Sequence, residues 1–141
     1  MQRRPTSPDM SWDLSVHAAW ILAAAYTISL GYEIYRATAK AGTSRYDSIG
    51  NLVHTLPLYV VAAGVVGVLL LDLSWAPIVA LVFAVAMIVV SVVYYNPVML
   101  PARRPGLLDW VEDLSYTGLL FVAAALLLYD VLGASATTSP A

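Results

Sequence analysis

Four stretches of the chain are almost continuously apolar, and each is long enough to cross a bilayer as a helix. They run over 14–35, 52–71, 76–95 and 114–133. A hydrocarbon layer about 30 Å thick takes about 20 residues of helix. Lipid offers backbone amides no hydrogen-bonding partner, so apolar runs of this length are expected to be helical. Ionisable side chains inside them sit near the ends: His17 and Glu33 in the first, His54 in the second and Asp130 in the fourth.

Local punctuation sets the expected limits. Ser74 followed by Pro77 predicts the N-cap and first turn of the third helix. Asn96-Pro97 predicts its end, since a proline disfavours helix in the residue before it. Pro57 falls within the second span and removes the bond to the Val53 carbonyl. A kink is expected there rather than a helix start, because residues 57–71 would rise only about 22 Å. The connections are too short to hold a folded domain, which makes consecutive helices antiparallel neighbours. The expected class is all-α: a polytopic integral membrane protein, an antiparallel four-transmembrane-helix bundle over 14–133. Polar, Pro-, Ser- and Thr-containing tails at 1–13 and 134–141 are expected to be flexible.

Composition narrows the function classes. Of 141 residues, 60% are hydrophobic and only 11% charged, with mean hydropathy +0.77. A soluble domain is about a quarter charged, so an ordinary cytosolic globule is excluded. High hydrophobicity with a net charge of -2 also excludes a disordered chain. Seven Lys and Arg at a pI near 5.4 make no basic face for nucleic acid. The absence of cysteine removes disulfides, thiolate metal sites, iron–sulfur clusters and thiol nucleophiles.

Sidedness follows from the basic residues. Arg36, Lys40 and Arg45 lie in the first connection and Arg103 and Arg104 in the third, against Arg3 and Arg4 before the first span. The excess places connections one and three in the cytoplasm and both termini outside, in the cell membrane. Trp12, Trp75 and Tyr129 mark one interfacial level, and Tyr32, Tyr35, Tyr94, Tyr95 and Trp110 the other. Small residues at four-residue steps, including Ala19 with Ala23, Ala63 with Gly67, and Ala76, Ala80 and Ala84, let helix backbones approach closely.

Ionisable groups beside hydrocarbon are costly and mark candidate chemistry. At the cytoplasmic level, Asp109, Glu112, Asp113 and Tyr116 follow i, i+3, i+4, i+7 spacing and form one acidic stripe entering the fourth span. His54, Glu33, Glu112 and Asp113 are the candidates there for a divalent metal or a proton relay. The competing expectation pairs Glu33 with Arg36 or with an arginine of the third connection and leaves the stripe wetted. At the opposite level Asp13, His17 and Asp130 form a second candidate set, against simple bonding of His17 to Asp13 or water. His17 and His54 lie at opposite ends of antiparallel helices, so a bis-histidine haem within this chain is not expected, and no other cofactor is indicated. G-x-S-x-G, P-loop and H-E-x-x-H motifs are absent.

The leading expectation is a non-catalytic accessory or structural subunit of a larger membrane complex. Its partners would be lipid and other membrane subunits, docked through Arg103, Arg104, Asp109 and Glu112. The alternatives are a small homo-oligomeric proton- or ion-coupled transporter or channel, with Glu33, His54 or Asp113 titrating, and a subunit lending a metal or cofactor ligand to a membrane enzyme.

Overall fold

The computed structural model describes residues 10–138, with side chains over 14–133. Residues 1–9 and 139–141 of the expected tails lie outside the described residues. The elements are α1 (Met10–Thr38), α2 (Ile49–Leu70), α3 (Ala76–Val90), a π-helical segment (Ser91–Met99), a short α4 (Leu100–Ala102) and α5 (Leu107–Thr138). Among the described residues there is no strand. Four helical stretches are long and apolar enough to cross a membrane: Leu14–Thr38, Ile49–Leu70, Ala76–Ala102 and Leu107–Gly133.

Three expected boundaries are corrected. Asn96-Pro97 does not end the third helix; the chain widens to a π-helix and continues. Proline lacks an N–H and its ring strikes the carbonyl four residues back, and a wider turn relieves both problems. The Leu100 N–H accordingly reaches back to the Tyr95 carbonyl. The helix ends instead at Ala102 with Arg103 as its C-cap, followed by Arg104, whose φ of 51° is left-handed and whose N–H closes on the Pro101 carbonyl at 3.1 Å. Ser74 is not the cap of α3. Trp75 holds that position without a side-chain bond, although Pro77 does fall in the first turn. Finally, α5 starts at Leu107 rather than at 114, because its acids serve the helix terminus. Asp109 Oδ2 accepts the Gly106 N–H at 2.7 Å, and a negative charge suits the positive end of the helix dipole.

α2 runs through Pro57, so the helix begins before that proline. Its N-cap is Ser48, whose Oγ accepts the Asn51 N–H at 3.0 Å. Ser48→Ala is expected to destabilise the protein by about 1 kcal/mol, measured by equilibrium unfolding in mixed micelles.

The core draws on all four long helices and consists largely of small side chains. Ala18, Ala19 and Ala25 of α1 meet Ala62 of α2, Ala76 and Ala80 of α3, and Ala123 of α5, with Leu22, Leu69, Leu120 and Leu127 between them. Tyr26 stands at the centre, with ring centroids 5.4 Å from Tyr116, 5.6 Å from Phe83 and 6.1 Å from Tyr59. The outer surface is the opposite of a water-soluble one. Val60, Val82 and Leu114 are about two-thirds exposed, whereas Arg36, Asp47, Arg103 and Asp113 are at most 2% exposed. These four charges face inward and the branched apolar side chains outward.

Candidate functional site

The inward charges gather where the end of α1, the first connection, Arg103 and the start of α5 meet. Arg103 is wholly buried and grips Glu33 with both arms of its guanidinium, Nη1 to Oε1 at 2.9 Å and Nη2 to Oε2 at 2.8 Å. Its Nη2 also donates to the Tyr46 carbonyl at 3.3 Å, and its Nε lies 3.4 Å from Asp47 Oδ1. Burial disfavours the charge on Arg103, but the Glu33 bond and charge outweigh that and hold the guanidinium above its ordinary range. The faces of Tyr32 and Tyr95 stand 5.7 and 5.8 Å from its Cζ.

Arg36 completes the lattice. Its Nε and Nη2 donate to Asp47 Oδ1 and Oδ2 at 2.9 and 2.6 Å, its Nη1 to Asp109 at 3.3 Å, and its Nη2 also to the Arg103 carbonyl at 2.9 Å. Asp47 therefore sits between two guanidiniums, and Ser44 Oγ donates a further bond to it at 2.8 Å. Tyr32 donates its hydroxyl proton to Asp109 at 2.5 Å. Bidentate pairs of this kind fix geometry as well as energy. Together they clamp the two basic connections to the ends of α1 and α5.

The three acids of the α5 stripe are buried rather than wetted, and Tyr116 is half-buried. Asp109 belongs to the lattice. With the Asn96 amide turned so that its nitrogen faces Asp113, that nitrogen donates to both carboxylate oxygens at 2.8 and 3.2 Å. Tyr116 donates to the Tyr26 hydroxyl at 2.9 Å. Glu112 differs. It is only 8% exposed, and among the described residues its carboxyl takes part in no hydrogen bond or ion pair.

Glu112 faces a cavity of about 170 Å³ beside the lattice. Glu112, Asp113 and Tyr116 make one wall. Ser29, Thr55 and Ser91 bring hydroxyls from α1, α2 and the π-helical segment, and Leu58, Met87 and Met99 supply apolar surface. Glu112 also lines a groove of about 330 Å³ between α1 and α5, shared with Tyr32, Tyr35 and Ser115. Glu112 therefore lines two neighbouring spaces.

The remaining sequence candidates fall elsewhere. His54 is exposed, with Nδ1 2.8 Å from the Gly50 carbonyl, while Glu33 pairs with the third-connection arginine. Glu33 and His54 thus have separate partners. Among the described residues no three His, Asp or Glu side chains converge as a metal set. At the opposite end His17 is exposed and Asp130 is 1% exposed, and the Asp13 side chain lies outside the described residues. Of the residues expected to dock a partner, Arg103, Asp109 and Glu112 are buried within the chain and only Arg104 is exposed. Sequence reasoning missed Asp47 and Tyr46 altogether, and weighed Arg36 for sidedness and as one of two partners for Glu33, whereas Arg36 pairs with Asp47. The available signal was that Asp47 is the sole acid in the connection 36–51, among three basic residues. No protein-family model, curated protein or solved structure significantly matches this chain.

Proposed function

We propose that the chain inserts as an antiparallel four-helix bundle in the cell membrane and works there as a small carrier. Its solute occupies the cavity at Glu112, and the Arg36–Asp47–Arg103 lattice closes the adjacent, cytoplasmic end. The observation that supports this most is the Glu112 carboxyl itself. A buried ionisable group without a partner is expensive, and within a membrane span it marks a pathway or a ligand site. A wall of hydroxyls and an access groove on its other side fit the same role. Docking to another subunit through these charges is the weaker reading, since three of the four expected docking residues already point inward.

The absence of cysteine makes the test clean. Ser91→Cys, introduced on the cavity wall and reconstituted in proteoliposomes, is expected to react with a membrane-impermeant methanethiosulfonate. Asp47→Asn, which loosens the lattice, is expected to speed that reaction from the side of connections one and three. Failure of Ser91→Cys to react in either background, while the denatured protein reacts, would overturn the carrier reading.

A further inference from the structure

Building on that carrier reading, we propose that the cavity takes a small organic monocation: a primary ammonium on a compact apolar body. Asp113 already receives the Asn96 amide, so the carboxyl left to meet an occupant is that of Glu112. An ammonium brings three donors and no acceptor, which matches a carboxylate lacking donors. The nearby hydroxyls keep lone pairs for the remaining donors: Thr55 Oγ1 donates to the Leu52 carbonyl at 2.8 Å, and Ser29 and Ser91 share bonds with Tyr59 and Thr117 at 2.8 and 3.0 Å.

The rest of the wall argues for carbon behind the charge. Leu58, Met87, Val90 and Met99 give the ammonium's body apolar contact, and Met side chains adapt to varied shapes. An apolar space of about 150 Å³ accepts a benzene ring, so about 170 Å³ suits a single ring or short alkyl chain. A divalent metal fits poorly. Calcium takes six or more oxygens, whereas here one of the two adjacent carboxylates is already engaged by an amide.

Protection of Ser91→Cys from the methanethiosulfonate provides the test, with phenethylammonium, neutral 2-phenylethanol and sodium chloride as probes. Phenethylammonium is expected to slow labelling saturably, with 2-phenylethanol about tenfold weaker or worse and sodium chloride without effect, a gap of about 1.4 kcal/mol per tenfold. Glu112→Gln on the same background is expected to label normally and to lose the amine's protection. Glu112→Asp, which withdraws the carboxylate by one methylene, is expected to keep a weakened form of it. Normal labelling with no protection, equal protection by amine and alcohol, protection by sodium chloride, or protection unchanged in Glu112→Gln would each overturn the organic-cation proposal while leaving the carrier reading standing. Absence of labelling would overturn the carrier reading first.

Discussion

Arg103→Met is expected to destabilise the folded protein by about 3–5 kcal/mol, the largest effect of any single substitution in this chain. The side chain is wholly buried, and its guanidinium holds both oxygens of Glu33 and approaches Asp47. Methionine fills much the same volume, so the loss does not come from a cavity. It comes from leaving the largely buried Glu33 carboxylate, 12% exposed, without its counter-charge. The distinction is measurable, because Arg103→Met combined with Glu33→Leu removes both charges at once. Replacing a whole buried pair by apolar groups of similar shape is often close to neutral. Asp47 retains two bonds from Arg36 in that double variant. Equilibrium unfolding in mixed micelles is therefore expected to place the double variant well above the single one. Equal losses would assign the effect to packing instead of charge.

Ala80→Leu is expected to be the second most damaging change, at about 1–3 kcal/mol. Ala80 is fully buried in the core shared by all four long helices, one turn from Ala76. In lipid, helices associate through close packing rather than water exclusion, and an inserted isobutyl group forces the backbones apart. Ala23 belongs to the same class of small residue by sequence, yet it borders an open groove of about 320 Å³ between α1 and α2. Ala23→Leu is expected to change stability by less than about 0.5 kcal/mol. The pair of variants, compared in the same unfolding assay, separates small residues that seat helices from those that merely line the surface.

The four apolar runs could be read directly, because a span's length and composition are properties of one contiguous segment. The stripe Asp109, Glu112, Asp113 and Tyr116 was equally legible, since helical spacing fixes which residues share a face. Spacing does not say what that face meets. One of the two expectations left the stripe wetted, and its acids are buried because Arg36, Asn96 and Tyr26 reach the stripe from segments 17 to 90 residues away in sequence. The Glu33–Arg103 pair, 70 residues apart, was one of two pairings the sequence left open. Asp47 lay beyond reach for a different reason: it belongs to a connection, where no periodicity assigns a direction, and only its two guanidinium partners reveal its role. At Asn96-Pro97 a rule about one residue pair was overridden, because a π-helical turn accommodates proline without ending the helix.

The proposed insertion of these helices in lipid, with charge placed inward, is tested most directly along α5. Nitroxides attached to single cysteines across Leu107–Gly133 in proteoliposomes report oxygen accessibility, which is high in hydrocarbon and low inside packed protein. Accessibility is expected to oscillate with a period near 3.6 residues, with minima at Glu112, Asp113, Tyr116, Leu120, Ala123 and Leu127 and maxima at Val111, Leu114, Phe121 and Leu128. Maxima on the acidic stripe, or accessibility without that period, would contradict it.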